Sequence, residues 1–427
     1  MHDVLVIGGG FAGLTAAREL AAAGRDVVLL VEARDRLGGR TWYKRDALDG
    51  LSLEMGGTWI DPSHALVQAE ARRYGLTASE PWPFALPDAW LLDGRRRAER
   101  LPVSAEDVPG FENFLVALRT AAARIDANLP LDDQGLEDLD VSFDEFLDSL
   151  GLAPAVREIA SVGLGSIFGD DRSALNVLKR VAVVGSLTGY LASTASQVIE
   201  QGTSALVGAI AEDSGADVLL SSAVRRVEQD AGGVAVHTDG ERHRACAAVV
   251  AVPLSVFAHV DFDPALDPAK TAVSREGAAW VGVKAWAIVR GVEPGFSSIG
   301  LAHGLDFLAA VEPVAGGTLV VCFGPRADEI DLGDREAVER AVRAHLPDAE
   351  VVACTGHDWS ADPWSRGAWV AFRPGQITQH GSALRRREGR LVFAGADVAV
   401  RSPGNIEGGF ESGYLAAGEV VALLDAE

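Results

Sequence analysis

Apolar runs and a helical repeat organise the start of the chain. Residues 4–7 form a continuous apolar run, which is typical of a strand buried on both faces of a parallel sheet. Apolar residues at three- to four-residue spacing follow up to Gly24 and predict a helix, and residues 27–31 predict a second buried strand that ends at Glu32. The pattern therefore predicts a β-α-β unit and an α/β fold with a parallel sheet.

A glycine-rich turn joins the first strand to the helix. Gly8 allows a tight turn, Gly10 lets the backbone approach a pyrophosphate, and Gly13 lets the helix pack close to the strand. The helix start, at Ala12, offers free N–H groups to an anion. Glu32 stands where a carboxylate can bind ribose hydroxyls, which disfavours NADP. These residues predict a dinucleotide site and leave NAD and FAD open.

Lys284 stands out in a later apolar stretch. Alternation over residues 281–289 predicts another strand, and strands are also predicted at residues 221–227 and 249–253. Lysine is rarely buried without a partner, so a charge in such a strand needs an explanation. The residues alone leave two explanations open. Either Lys284 lies on the solvated face of an edge strand, or it is buried because it has a function.

Length and charge limit the classes of function. A chain of 427 residues is too long for one ordinary core, which predicts two domains around a cleft. The net charge of −23 would repel nucleic acid and an anionic membrane, and no apolar run is long enough to span a bilayer. Three cysteines without metal-type spacing predict a reducing compartment and no metal site. The start lacks a signal-peptide pattern, so we expect a cytoplasmic protein.

The segment that begins at Glu32 makes the chain recognisable. Residues 32–41 read E-A-R-D-R-L-G-G-R-T and include Ala33, Arg34, Gly39 and Arg40. This string resembles that of the flavin-containing amine oxidase (monoamine oxidase) superfamily, in which it wraps around the pyrophosphate of FAD. The resemblance therefore implies FAD as the cofactor. The resemblance is more specific for the cofactor than for the reaction that the protein catalyses.

Further segments extend the resemblance. Residues 54–60 resemble the family's glycine pair beside the flavin, Val224 stands where the backbone holds the adenine, and residues 391–408 resemble the family's closing motif. Residues 136–140 and 357–363 resemble stretches of the bacterial 6-hydroxynicotine oxidases of the L-specific type, which belong to the same superfamily. The residues that these segments imply at the cofactor are Gly56, Gly57, Thr58, Val224, Trp359, Asp397 and Ile406.

The resemblance also implies the domains and the reaction. A discontinuous Rossmann-type FAD-binding domain would comprise residues 1–75, 195–262 and 378–427, and a mixed α+β substrate-binding domain residues 76–194 and 263–377. The implied reaction oxidises the carbon–nitrogen bond of a small amine by hydride transfer to flavin N5, and water hydrolyses the imine to a carbonyl compound. Either O2, with H2O2 as product, or an electron-carrier protein is expected as acceptor, and a homodimer is compatible with the resemblance.

Three residues are expected at the reacting centre. The superfamily has a lysine in such a strand, bridged by water to flavin N5, which favours the functional explanation for Lys284. Trp369 aligns with one wall of an aromatic cage, and Asn405 stands where the second wall usually is, so a simple arylalkylamine gripped between two rings is not expected. Ala368 replaces the cysteine that attaches FAD in some members, so the cofactor should be held non-covalently.

Two alternatives stay open. An L-amino-acid oxidase would need a cation for the substrate carboxylate, and Arg373 and Arg401 are the candidates. A desaturase-like or non-enzymatic flavoprotein would be expected to carry a long apolar tunnel or a membrane-binding stripe. Ser166 and Leu305 stand where we expect polar pocket residues of the nicotine enzymes, which argues against 6-hydroxynicotine itself as the substrate.

Overall fold

The computed structural model describes residues 2–25, 28–79, 86–165, 169, 171–193 and 196–426. The α-helices of these residues are, in chain order, α1 (Phe11–Ala22), α2 (Ala65–Arg73), α3 (Val108–Ala122), α4 (Phe143–Ser149), α5 (Pro154–Ala160), α6 (Leu175–Val184), α7 (Leu187–Ser193), α8 (Thr203–Ser214), α9 (Pro268–Glu276), α10 (Arg335–His345), α11 (Gln376–Arg385) and α12 (Ile406–Asp425). A π-helical turn at Ser161–Gly165 follows α5.

The strands form two large sheets and two small ones. In chain order they are β1 (His2–Ile7), β2 (Val28–Val31), β3 (Tyr43–Leu48), β4 (Leu51–Glu54), β5 (Trp59–Ile60), β6 (Ala78–Ser79), β7 (Ala89–Leu92), β8 (Arg95–Arg97), β9 (Gln197–Ile199), β10 (Asp217–Leu219), β11 (Val224–Asp230), β12 (Gly233–Thr238), β13 (Arg242–Val250), β14 (Asp261–Asp263), β15 (Val283–Arg290), β16 (Ser297–Gly300), β17 (Phe307–Val314), β18 (Gly317–Gly324), β19 (Glu350–Asp358) and β20 (Leu391–Phe393).

An eight-stranded sheet contains the predicted β-α-β unit. Its strand order is β10-β2-β1-β13-β12-β11-β14, and β20 also pairs with β13. Strand β1 pairs in parallel with β2 and with β13, so both of its edges are covered. Helix α1 packs against α8 and α12. Val4, Leu5 and Val6 are fully buried, which explains the unbroken apolar run of the first strand.

A seven-stranded sheet holds Lys284 in its interior. The strand order is β19-β15-β18-β17-β16-β7-β8, and its pairs are antiparallel except for β16 with β7. Strand β15 therefore has a neighbour on each side. The Lys284 side chain is only 2% exposed. The explanation that Lys284 lies on the solvated face of an edge strand is wrong.

Two predicted strands have different bounds in the structure. The strand expected at residues 221–227 begins at Val224, because Ser221 has a positive φ of 52° that interrupts extended backbone. The strand expected at residues 249–253 is β13, which starts at Arg242. Its first half faces solvent on alternate residues, so the continuous apolar run marks only its buried end. Residue 27 lies outside the described residues.

The two large sheets correspond to the two parts of the predicted α/β fold. Strands of residues 2–31, 217–263 and 391–393 form the eight-stranded sheet, and strands of residues 89–97 and 283–358 form the seven-stranded one. The exact domain boundaries, which cut the chain at residues 75, 195, 262 and 378, stay a prediction. No helix in the described ranges is long and apolar enough to cross a bilayer.

Candidate active site

A cavity of about 650 Å³ is lined by residues from both large sheets. This volume lies within the range of about 300–1,000 Å³ that ligand pockets usually occupy. All the predicted site residues except Gly13 and Asp397 line it. The predicted residues that line the cavity are Gly8, Gly10, Ala12, Glu32, Ala33, Arg34, Gly39, Arg40, Gly56, Gly57, Thr58, Val224, Lys284, Trp359, Trp369, Asn405 and Ile406.

The two exceptions lie just behind the cavity wall. A β-carbon at Gly13 would come within 2.0 Å of the Gly8 carbonyl oxygen, so Gly13 lets α1 pack against the turn. Asp397 accepts hydrogen bonds from Arg40 Nη2 at 2.7 Å and from the Leu254 N–H at 3.0 Å. Its carboxylate therefore orients Arg40, which lines the cavity, and a direct bond from Asp397 to the cofactor stays a prediction.

Glu32 is held by backbone amides at one end of the cavity. Its Oε2 accepts from the Gly9 N–H at 2.7 Å, and its Oε1 accepts from the Arg34 N–H at 2.8 Å. These bonds fix the buried carboxylate at the end of β2, where it faces the cavity. Each oxygen keeps a second lone pair, so the group can still accept hydrogen bonds from two neighbouring hydroxyls of a ligand.

The glycine turn leaves room for a ligand beside the start of α1. A β-carbon at Gly10 would meet only the Gly39 Cα, at 3.9 Å, so the backbone is open to the cavity there. Gly10 is the N-cap of α1 and has no side chain to cover the first N–H groups. The helix terminus and Arg40 together provide N–H donors and positive charge on one side of the cavity. This arrangement suits a pyrophosphate.

The second glycine pair, Gly56 and Gly57, lies on the cavity wall. A β-carbon at Gly56 would lie 2.1 Å from the Arg40 carbonyl oxygen and 2.8 Å from the Trp359 ring. Trp359 is buried and donates from Nε1 to the Met55 carbonyl oxygen at 2.9 Å. The tight packing leaves no room for a side chain at Gly56 between the Arg40 backbone and the Trp359 ring.

Lys284 reaches the cavity next to this glycine pair. Its Nζ donates to the Gly56 carbonyl oxygen at 3.0 Å and to Thr58 Oγ1 at 2.5 Å. Three aromatic rings surround the ammonium group, with centroids 4.8 Å away for Trp59 and 5.3 Å away for Trp286 and Phe323. An ammonium group has three N–H donors, so one is left over for the cavity.

Burial perturbs Lys284 and a carboxyl group near it. Burial lowers the pKa of Lys284 to about 7, and the charge of Glu54 opposes this shift. Burial likewise raises the pKa of Glu54 to about 7, against hydrogen bonds from Thr203 and the charge of Lys284. The charge of each group opposes the pKa shift of the other, so the protonation of Lys284 and that of Glu54 are linked. Such perturbed pairs are common at functional sites.

Trp369 stacks on a second tryptophan that the sequence did not single out. The rings of Trp280 and Trp369 are nearly parallel, at 12°, with centroids 4.3 Å apart. Both rings line the cavity. Within the described part of the chain, neither buried indole N–H has a hydrogen-bond partner. Unpaired buried donors are rare in folded proteins, and these two N–H groups are shielded within the protein, so they are not donors that the cavity exposes.

Asn405 faces the cavity at the start of α12. Its Oδ1 accepts a hydrogen bond from Arg180 Nη1 at 2.9 Å, and Arg180 Nη2 donates to the Pro403 carbonyl oxygen at 3.3 Å. Asn405 is the N-cap residue of α12, whose first residue, Ile406, also lines the cavity. The positive end of a long helix thus points at this part of the site.

Three further polar residues on the wall were missed from the sequence. Arg180 comes from α6, and Asp61 and His64 come from the turn before α2. His64 Nδ1 accepts from the Asp61 N–H at 3.1 Å. Burial lowers the pKa of His64 to about 4, with the charge of Asp61 opposing and that of Arg180 adding to the shift. No local motif marks any of these residues.

The remainder of the cavity is mainly apolar. Side chains from α3, α5, α7 and the seven-stranded sheet line it, among them Trp90, Phe111, Phe114, Ile159, Leu187, Tyr190, Ile299, Phe307 and Phe323. Asp306 is a charged exception. It is buried and paired with Arg326, whose Nη2 lies 2.6 Å from Asp306 Oδ1. A ligand with a large apolar part fits this lining.

The predicted carboxylate-binding cations point elsewhere. Arg373 is paired with Asp171 at 3.0 Å and Arg401 donates to Asn128, and neither residue is among those that line the cavity. Leu305 is buried in the core beside β17. Ser166 lies outside the described residues. Within those residues, no cluster of three metal-binding side chains occurs.

Sequence comparison relates this chain to known proteins over almost its whole length. The family model described as flavin containing amine oxidoreductase matches residues 11–421. The chain is 34% identical to an (S)-6-hydroxynicotine oxidase from Paenarthrobacter nicotinovorans, with 99% of this chain and 100% of the relative covered. It is 33% identical to a pseudooxynicotine dehydrogenase from a Pseudomonas species, with coverage of 99% and 87%. The predicted superfamily and its nicotine-oxidase-like character are confirmed.

Solved structures share the whole fold. A putrescine oxidase bound to putrescine superposes with a TM-score of 0.85 at 24% identity, and a cyclohexylamine oxidase from Brevibacterium oxydans with a TM-score of 0.84 at 23% identity. Each comparison covers 99% of both chains. At these identities the likeness shows the fold alone. The predicted α/β class with a Rossmann-type domain and a second, mixed domain is confirmed.

Proposed function

Because the chain belongs to the flavin-containing amine oxidoreductases, we propose that its cavity oxidises a carbon–nitrogen bond of a small, largely apolar amine. FAD is the cofactor of this family, and the dinucleotide end of the cavity fits it. Glu32 offers lone pairs to the ribose, and the α1 terminus with Arg40 offers donors to the pyrophosphate. The observation that carries the proposal is the buried Lys284 on the wall of the same cavity, beside the second glycine pair.

Bound FAD supplies a two-electron acceptor for the hydride that leaves the carbon next to the amine nitrogen. The chain's own residues position the reactants and exclude water. We assign Lys284 to hold one water molecule with its remaining donor, since Gly56 and Thr58 take the other two. The aromatic rings around Nζ keep further water away, which strengthens this bond. Hydrolysis of the released imine gives a carbonyl compound.

Trp369 and Asn405 are the positioning residues in this proposal. The Trp369 ring is fixed by its stack on Trp280, so it offers a rigid apolar face for the amine-bearing carbon. Asn405 offers hydrogen bonds instead of a second ring, and Arg180 fixes its orientation. The site therefore combines one apolar wall with one polar wall. A substrate that has both an apolar part and a hydrogen-bonding group would be held in a single orientation.

The electron acceptor in our proposal is O2, with H2O2 as product. The chain has one dinucleotide fingerprint, at Gly8, Gly10 and Gly13, so a bound nicotinamide cofactor has no second motif to account for it. Relatives carry both names, oxidase and dehydrogenase. Stopped-flow mixing of the reduced protein with oxygenated buffer measures the reaction directly. Reoxidation slower than steady-state turnover with an artificial acceptor would assign the role to a carrier protein instead.

Oxidation of an L-amino acid is the second candidate function. Arg180 lies on the cavity wall, where a cation could meet a carboxylate, although it already donates to Asn405. An anaerobic screen separates the candidates, because a substrate bleaches the absorbance of the oxidised flavin without oxygen. We expect bleaching by apolar amines and none by their α-carboxylated counterparts. The opposite pattern would establish the amino-acid oxidase.

Denaturation should release FAD into solution. Ala368 lines the cavity where a cysteine would attach the flavin, and it has no nucleophilic atom to do so. Its backbone is held by Arg40, which donates to the carbonyl oxygen at 2.9 Å. After acid precipitation, flavin absorbance should appear in the supernatant. Flavin that stays with the precipitated polypeptide would show a covalent link at another residue.

A further inference from the structure

We infer that Trp280 is a further positioning residue of the amine oxidation and that Gly282 makes room for its ring. Trp280 and Trp369, hereafter the tryptophan pair, are stacked with ring centroids 4.3 Å apart, and both line the cavity. Trp280 sets the place of the Trp369 ring, and through it the place of the amine. The inference rests on the proposed function, because it deepens the role that Trp369 has there.

Backbone hydrogen bonds bring the two segments of the tryptophan pair together. The Trp280 N–H donates to the Trp369 carbonyl oxygen at 2.7 Å, and the Ala368 N–H donates to the Trp280 carbonyl oxygen at 2.9 Å. A further bond runs from the Ala371 N–H to the Ala278 carbonyl oxygen at 2.8 Å. These bonds hold the two main chains in register, so the two side chains start from neighbouring positions.

The two rings have no polar anchor of their own. Within the part of the chain that the structure describes, both indole Nε1 atoms are buried and lack a hydrogen-bond partner. Buried tryptophan usually finds a partner for its N–H group, and that bond then helps to fix how the ring lies. Here the contact between the rings, which are nearly parallel at 12°, takes that role. The orientation of Trp369 therefore depends on that of Trp280.

Gly282 leaves the space that the Trp280 ring fills. A β-carbon at Gly282 would lie 1.6 Å from Cζ3 and 2.2 Å from Cε3 of Trp280. Non-bonded carbon atoms stay about 3.5 Å apart, so the ring would have to move by roughly 2 Å. The Gly282 backbone is held in place, because its N–H donates to Ser360 Oγ at 2.8 Å and its carbonyl oxygen accepts from the Trp359 N–H at 3.2 Å. Gly282 has no positive φ, so space and not backbone conformation calls for glycine here.

One short segment therefore contributes to both sides of the reacting centre. Trp280, Gly282 and Lys284 follow one another at every second residue, and all three line the cavity. Lys284 belongs to β15, which is paired with a neighbouring strand on each edge. The distance between the Lys284 ammonium group and the Trp369 ring is thus set through Trp280. A misplacement of about 1 Å at a reacting centre can lower a rate roughly a hundredfold.

A double-mutant cycle tests this relation. Gly282→Ala should retain FAD and lower the limiting rate of anaerobic flavin reduction by roughly tenfold or more, because the new methyl group displaces the Trp280 ring. Trp280→Leu removes the ring that collides and should slow reduction as well. In the Trp280→Leu background, Gly282→Ala should then change the rate by less than about twofold. Benzylamine, phenethylamine and cyclohexylamine serve as substrates, and the limiting rate should fall by a larger factor than the apparent Kd rises.

The cycle separates this explanation from a direct effect on the cofactor. Gly282 itself lines the cavity, so an added methyl group could press on bound FAD instead. Such an effect would persist in the Trp280→Leu background, and an equal loss of rate in both backgrounds would overturn the inference. Gly208→Ala is the matched control, because a β-carbon there meets nothing within 4 Å, and it should leave the rate unchanged.

Thermal unfolding of the apoproteins gives a readout that needs neither FAD nor amine. Gly282→Ala should lower the melting temperature of the parent, since the ring must leave its place, and should lower that of Trp280→Leu much less. Equal decreases in the two backgrounds would show that Gly282 does not house the ring, whatever the rates are. Failure of all three amines to reduce the flavin of the parent would instead refute the proposed function, so the two failures are distinguishable.

A conservative variant distinguishes positioning from a merely structural role. Trp280→Phe keeps an aromatic face for the stack, so it should reduce the flavin faster than Trp280→Leu while both bind FAD with similar affinity. A structural role alone predicts that every variant that binds FAD reduces it at the rate of the parent. Either Trp280 variant with FAD bound and the parental rate would overturn the inference, and Trp280→Phe decides it if Trp280→Leu fails to fold.

Discussion

Lys284→Met should retain FAD and fold like the parent, yet slow flavin reduction, reoxidation or both by roughly tenfold or more. Methionine keeps much of the length and the apolar stem of lysine but removes the charge and every donor. The three rings around Nζ can pack against a thioether, so the apolar contacts survive. A tenfold change corresponds to about 1.4 kcal/mol of lost transition-state stabilisation.

Rapid mixing separates the two half-reactions. Anaerobic mixing with substrate follows reduction, and mixing of the reduced protein with oxygen follows reoxidation. Lys44→Met is the matched control, because Lys44 contacts the Trp42 ring outside the cavity and its loss should change neither rate. If Lys284→Met keeps FAD and shows both rates of the parent, Lys284 has no part in the chemistry.

The pH dependence offers an independent view of the same residue. Burial lowers the pKa of Lys284 to about 7, so the parent should show a rate inflection near neutrality that belongs to the pair with Glu54. In Lys284→Met the counter-charge is gone, and burial should keep Glu54 protonated to higher pH. The inflection should therefore leave the neutral range. A pH profile identical to the parent's would contradict this assignment.

The cofactor end of the site was readable from the sequence because its signals are local. Gly8, Gly10 and Gly13 act within one turn, and the second strand places Glu32 beside them without any long-range information. The apolar run of residues 4–7 correctly marks a strand with two covered edges. Local pattern fails where the backbone deviates, as at Ser221, whose positive φ delays the start of β11, and where half of a strand faces solvent, as in β13.

The substrate end depends on contacts between distant segments. Lys284 was ambiguous because strand order decides whether β15 is central, and no residue near it encodes that order. Arg180 and Asn405 meet across the fold from α6 and α12, and His64, on the turn before α2, lines the same cavity. Nothing in the local sequence distinguishes Arg180 from Arg373 or Arg401. Only the packing of α6 against the cavity selects it.

Glu32→Ala should weaken the retention of FAD by about 1.5 to 3 kcal/mol, which is typical for hydrogen bonds to a charged group. At room temperature this corresponds to roughly a ten- to hundredfold rise in Kd, since about 1.4 kcal/mol is tenfold. The carboxylate is fixed by the N–H groups of Gly9 and Arg34, so its free lone pairs are oriented towards the cavity before FAD arrives. Titration of apoprotein with FAD, followed by flavin fluorescence, measures the change.

The same bonds give Glu32 a structural role, and a second variant separates the two. Glu32→Gln keeps one side-chain oxygen for a backbone N–H but loses the charge, so the turn should hold better than in Glu32→Ala while FAD still binds more weakly than in the parent. Asp35→Ala removes an exposed carboxylate outside the cavity and serves as the control. The melting temperature of each apoprotein reports damage to the turn independently of FAD. If Glu32→Ala binds FAD as tightly as Asp35→Ala does, Glu32 does not hold the ribose, and the assignment of β2 to the dinucleotide site fails with it.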